Sequence, residues 1–180
     1  TMSSLRNTYG RITDSRKFPI QRPFTDNGTL NGSAEMDVDG SVTPQEFYFQ
    51  AEANRQVSVN KVQFTISDAG NTGVNDYGSI AGPLTNGVTF YTIINGQEIP
   101  LTPTIKSASD FFSIGSDVKF VELSGTSRLA IYDFSLFEYS EGIILDGDNG
   151  DIFGCRINDN LSALTKHKAG IDGFFQLKGV

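Results

Sequence analysis

Along most of this 180-residue chain, apolar residues recur at every second position, in short runs broken by Gly, Asn and Asp. Gln45-Glu46-Phe47-Tyr48-Phe49-Gln50-Ala51 sets Phe47 and Phe49 on one face, the period of a half-buried strand. Ala53-Asn54-Arg55-Gln56 turns the chain, and Val57-Ser58-Val59 and Val62-Gln63-Phe64-Thr65-Ile66 follow. These two stretches alternate in opposite phase, so Asn60-Lys61 is expected to hold a β-bulge. The runs on either side of the turn read as a hairpin. Val88 to Ile94 is β-branched and aromatic, as strands prefer. Asn95-Gly96 suits a two-residue hairpin turn, and Gln97 to Leu101 returns as an edge strand limited by Pro100 and Pro103. Ile105 to Phe112 reads as a short helical turn capped by Ser109-Asp110. Val118 to Leu123 is a strand. Arg128 to Phe137 reads as the longest strand, with Leu129, Ile131 and Asp133 opposite Ala130, Tyr132, Phe134 and Leu136, and belongs in mid-sheet.

The C-terminal block completes the pattern: a strand from Gly142 to Leu145, the turn Asp146-Gly147-Asp148-Asn149-Gly150, and a strand from Asp151 to Asp159. A linker from Asn160 to His167 leads into a closing strand, Ala169 to Leu177. About eight such strands with Gly-rich turns predict an all-β fold, an antiparallel, jelly-roll-like β-sandwich. Two stretches stand apart. Residues 1–40 have sparse, aperiodic apolar residues and read as an extended N-terminal arm on a sandwich domain of residues 41–180. Pro19 and Pro23 bias their neighbours to extended backbone, and the arm lies either on its own domain or on a neighbouring subunit. Residues 67–86 form a loop of roughly twenty residues, a length that usually signals a contact element.

Charge narrows the partners. The chain carries −7 formal charge, so nucleic acid, which needs clustered Lys and Arg, is not an expected partner. Arg6, Arg11, Arg16, Lys17 and Arg22 make one basic group, either a solvated segment or an arm that pairs with acidic surface on a neighbour. No apolar run is long enough to cross a membrane. The first thirty or so residues lack the apolar core of a signal peptide. Synthesis in a reducing cytoplasm is therefore expected, with no membrane partner. Cys155 is the only cysteine and reads as a small buried hydrophobe.

Candidate chemistry is thin. Asp146, Asp148 and Asp151 concentrate carboxylates as a calcium loop does. However, the glycine falls at the wrong offset for an EF-hand, and a plain acidic turn with no metal is expected. His167, the only histidine, lies between Lys166 and Lys168 and reads as a solvent-facing linker residue. One histidine excludes a multi-His zinc site within the chain. Asp133, Glu138, Glu141 and Asp159 are available for a glycosidase pair, but nothing in their spacing holds two across a cleft. There is no nucleophile elbow, phosphate loop or Cys-x-x-Cys pair. No catalytic residue, cofactor or enzymatic activity is expected. Tyr77, Tyr91, Tyr132 and Tyr139 are the candidates for stacking on a sugar, although the chain has no Trp.

Two stretches carry a resemblance. One is Asp39-Gly40-Ser41-Val42-Thr43-Pro44-Gln45-Glu46-Phe47, leading to Val62-Gln63-Phe64-Thr65-Ile66-Ser67-Asp68-Ala69-Gly70. The other is Leu145-Asp146-Gly147-Asp148-Asn149-Gly150-Asp151, then Ile157-Asn158-Asp159-Asn160-Leu161-Ser162-Ala163-Leu164-Thr165-Lys166-His167, ending in Gly170-Ile171-Asp172-Gly173. Their texture resembles small β-sandwich virion structural proteins of tailed bacteriophages, over about a third of the chain. What the resemblance implies is a multi-copy virion component made in the host cytoplasm. It would be a capsid decoration (cement) protein, or a neck, tail or fibre component that binds a receptor or carbohydrate. The implied partners are its own copies, with a trimer favoured, and other virion proteins such as the major capsid protein.

Overall fold

The computed structural model describes residues 16–68, 73–113, 117–124, 127–135 and 142–178, with backbone alone over 67–68, 111–113, 117–124 and 127–135. The described strands are β1 (Phe18–Pro23), β2 (Gln45–Gln50), β3 (Arg55–Asp68), β4 (Val88–Ile94), β5 (Gln97–Pro100), β6 (Asp117–Ser124), β7 (Ser127–Ser135), β8 (Ile143–Asp146), β9 (Ile152–Ile157) and β10 (Lys166–Leu177). A short helix, α1 (Ala108–Ser113), and a 3-10 turn at Gly147–Asn149 complete them. The protein is an all-β antiparallel sandwich. Sheet A has the order β1-β10-β3-β7-β6, with β8 also on β3, and sheet B has β2-β9-β4-β5.

β3 is the spine of sheet A. One edge pairs with β10 along nearly its whole length. The other edge is shared: Gln56 to Val59 pair with β8, and Lys61 to Asp68 pair with β7. The expected bulge is present. Asp172 faces Lys61 and Gly173 faces Val59, so Asn60 is the extra residue. The bulge keeps the apolar side chains inward on both sides of the phase change: Val57, Val59, Val62, Phe64 and Ile66 are all fully buried. They meet Phe47, Phe49, Phe90, Phe153 and Cys155 of sheet B. Phe64 and Phe90 pack edge to face at 4.5 Å. Burying each such side chain contributes about 1.5–3 kcal/mol.

Local chemistry explains the tight connections. Asn95 (φ 52°) and Gly96 (φ 76°) form the expected hairpin turn between β4 and β5. β5 is the edge strand its prolines require. α1 starts one turn later than its sequence span, with Ser107 at the cap position. Asp110 accepts the backbone N–H groups of Lys106 at 2.7 Å and Ser107 at 3.0 Å, the reach-back half of a capping box.

Several expectations change. β2 and β3 do not form a hairpin: β2 pairs with β9 in sheet B, and residues 51–54 cross between sheets. The alternation was right, but period alone does not say which strands pair. The longest described strand is β3, at 14 residues, because the bulge joins two runs into one strand. β7 is interior, between β3 and β6. There are ten described strands rather than about eight. Regular structure begins at β1, inside the expected arm. From Phe18 this segment lies on its own domain: β1 pairs with β10, and Ile20, Phe24 and Met36 enter the core. Residues 1–15, with Arg6 and Arg11, lie outside the described residues.

The sandwich has two unlike ends. The turn end carries the connections 51–54, 95–96 and 147–151, together with the start of β1 and the end of β10. The loop end carries residues 40–44, 73–87 and 158–165.

Candidate functional site

The loop end is the candidate contact surface. Its ordering begins with His167, which lies within β10 and is fully buried. The expectation of a solvent-facing linker residue is therefore corrected. Lys166 and Lys168 point out, where both reach Glu35, and the alternation of the strand sends His167 in. Its Nδ1 lies 3.3 Å from the Met36 carbonyl oxygen and its Nε2 2.9 Å from the Tyr77 hydroxyl. A carbonyl only accepts, so Nδ1 bears the proton and Tyr77 donates to Nε2. Burial holds this imidazole neutral, lowering its pKa to about 4, against smaller opposing effects of the Met36 bond and the Asp37 charge. One ring thus ties the 33–40 segment and the long β3–β4 loop to sheet A.

Carboxylates order the rest of that end. Asp76 accepts from Gly73 N–H at 2.9 Å and Gly82 N–H at 2.8 Å, which holds its carboxyl below the usual carboxylate range. One oxygen of Asp159 takes the N–H groups of both Asn86 and Gly87. Gly40 N–H donates to the Asp159 carbonyl and Ser41 N–H to Asp39, which holds the 40–44 turn. Among the described residues of this end two apolar side chains stand in solvent: Val42 is 91% exposed and Val74 61%.

The acidic turn occupies the other end. Asp146 accepts from Asp148 N–H at 3.0 Å, Asp148 from Asn54 N–H at 2.7 Å, and Asp151 from Asn95 and Asp146 N–H, both at 2.9 Å. Lys178 lies 2.7 Å from Asp146 and 2.6 Å from Asp148. These contacts hold both carboxyls below their ordinary range, with the Lys178 hydrogen bond the largest cause. Among the described residues no three or more His, Cys, Asp or Glu side chains gather as a metal site would require.

The sugar-stacking candidates do not form a platform. Tyr77 is 1% exposed and Tyr91 2%. Tyr91 lies across Gly154 beneath the Arg156 guanidinium, 4.7 Å from its ring centre. Its hydroxyl is buried without a hydrogen-bond partner among the described residues, and burial pushes the phenol pKa up. Arg156 also bridges Glu46 at 2.7 Å and Glu98 at 3.0 Å, tying β2, β9 and β5 together. Cys155 is fully buried, as expected, and burial raises its pKa. Tyr132 and Asp133 fall on β7, described by backbone alone. Glu138, Tyr139 and Glu141 lie outside the described residues, so Asp159 is the one glycosidase candidate whose side chain is placed, and it serves a turn.

Sequence reasoning missed the His167–Tyr77 bond and the Arg156 bridge. A signal for the first was present: His167, Ala169 and Ile171 share one phase, so extending the strand two residues backwards would have placed His167 inside. No family model, curated protein or solved structure matches this chain.

Proposed function

We propose that this chain is a non-enzymatic structural component of a tailed-phage virion, a capsid decoration protein acting through oligomeric contacts. The observation that carries this reading is the exposure of Val42, beside the Gly40 N–H bond to the Asp159 carbonyl and the Ser41 bond to Asp39, and of Val74, on the loop held by Asp76 and the His167–Tyr77 bond. Apolar groups held rigidly in water lose little entropy when a protein surface covers them. The topology supports the class. With β7 and β8 taken as one interrupted strand and β6 set aside, the sheets read β1-β10-β3-β8 and β2-β9-β4-β5. We read that order as a jelly roll, an architecture that capsid and lectin domains share. Fold does not choose between such roles, so the surface residues carry the choice.

Charge supports a second contact. Residues 1–22 hold Arg6, Arg11, Arg16, Lys17 and Arg22 against Asp14 alone, +4, which leaves −11 on the rest of a chain of −7. The segment enters the fold at Phe18, at the turn end. Surfaces at opposite ends suit a head-to-tail ring such as a trimer. Removing residues 1–15 is the clean test, because β1 and the core residues Ile20 and Phe24 remain. Analytical ultracentrifugation should show loss of the oligomer with an unchanged fold. An oligomer that survives the truncation contradicts a contact through this segment. The fibre reading, with Tyr77 or Tyr91 binding glycan, would require those rings to be accessible, and they are buried.

A further inference from the structure

We propose that the cleft between the end of β1 and the end of β2 binds a small organic carboxylate, gripped by the guanidinium of Arg22. The cleft has a volume of about 380 Å³, toward the small end of the range of about 300–1,000 Å³ typical of ligand pockets. Its floor is apolar, from Phe49 and Ala51, and Leu30 stands at the rim, 62% exposed. Backbone closes one wall: a Cβ on Gly147 would fall 1.7 Å from the Glu52 carbonyl oxygen, so no side chain intrudes there.

Arg22 is what makes the cleft selective. Its Nη1 donates to the neighbouring Gln21 carbonyl at 3.1 Å, while its Nε is buried with no hydrogen-bond partner among the described residues. Among the described residues no carboxylate pairs with it. Other cations of this acidic chain are matched: Arg55 with Glu52 at 2.7 Å, Arg156 with Glu46 at 2.7 Å, Lys168 with Glu35 at 2.9 Å and Lys178 with Asp146 at 2.7 Å. Glu52 also lines the cleft, but Arg55 takes up its charge, so an entering anion meets a net cation. A guanidinium that no described carboxylate neutralises, beside an apolar floor, favours a carboxylate on a compact body. Arg22 also borders a second hollow, of about 240 Å³, on the outer face of sheet A.

The test is an amide NMR titration of the whole chain with sodium benzoate, sodium glucuronate and, as the neutral control, glucose. At least one acid should give saturable shifts at the amides of Gln50, Ala51, Glu52 and Ala53, and glucose none. Benzoate alone would mark an apolar acid as the ligand type, and glucuronate alone a sugar acid. Arg22→Leu should weaken the response by about tenfold or more. If that variant misfolds, Arg22→Lys, which keeps the charge but not the fork, should bind measurably more weakly than the native chain. Absence of saturable shifts with both acids overturns the assignment. So does a glucose response equal to that of the acids, or native affinity in the folded Arg22 variant.

Discussion

The two ends of this sandwich are held by different physics. At the turn end, Asp146, Asp148 and Asp151 accept from nearby backbone N–H groups, and Lys178 closes the cluster from the surface. At the loop end, a neutral, fully buried histidine joins residues far apart in sequence, Met36, Tyr77 and its own strand. The first arrangement is charged, mostly exposed and tolerant of water. The second is buried, uncharged and intolerant of a proton. The lesson is that the long connections of the loop end, which look loose in the sequence, are fixed by a buried neutral ring together with the carboxylates of Asp76 and Asp159.

The comparison breaks most sharply under large substitutions. Tyr77→Ala removes a filled core position and the His167 bond together, and should cost about 3–5 kcal/mol in urea unfolding. Gly147→Ala should cost about 3 kcal/mol, because its Cβ would collide with backbone that does not yield. Hydrogen exchange should then separate the ends. The first variant is expected to open residues 73–80 and 33–40, and the second residues 51–54 and 147–151. Opening of the same amides by both would erase the distinction.

Acid sharpens it next. The folded pKa of His167, about 4, lies below its ordinary 6.5, so between these values the unfolded chain binds more protons. Stability contributed by neutral His167 is complete above pH 6.5, falls as pH drops through that window, and is gone below about 4. The total is roughly 2–4 kcal/mol. Asp146 and Asp148 act later: their depressed pKa values preserve stability above the ordinary 3.8, and it is lost as pH falls through their lower folded values. With one histidine in the chain, its ring NMR signals report the first window directly. His167→Gln should flatten the stability profile between pH 6.5 and 4 and leave the steeper fall below it.

Smaller effects complete the series. Tyr77→Phe keeps the ring but leaves Nε2 without its donor, and should cost about 1–2 kcal/mol. Lys178→Ala should give only a slight loss, larger at low salt than at high salt, since the ammonium is partly exposed and screened.

The same contrast explains what the sequence made legible. Turn-end geometry is local: Asn95-Gly96 announces its own hairpin, and the phase slip at Asn60 announces its own bulge. The sandwich class followed from such signals. Strand pairing did not, because Phe47 and Phe64 alternate alike whether their strands share a sheet or face across the core. The candidate surface was legible only in part. The long loop stood out by length, but its anchor, His167, was hidden by the flanking lysines, whose charge suggested solvent on all three residues. The segment from Phe18 onward shows no period for a related reason. Ile20, Phe24 and Met36 are buried at irregular spacing, since that segment crosses from one sheet edge to the other.

The most direct test of the assembly account is solution mass by light scattering, at micromolar concentration, for the native chain and for Val42→Asp/Val74→Asp. The account predicts a native mass of three times the 19.6 kDa chain, and a folded monomer for the variant. A native monomer, or an oligomer indifferent to both charges, would contradict it.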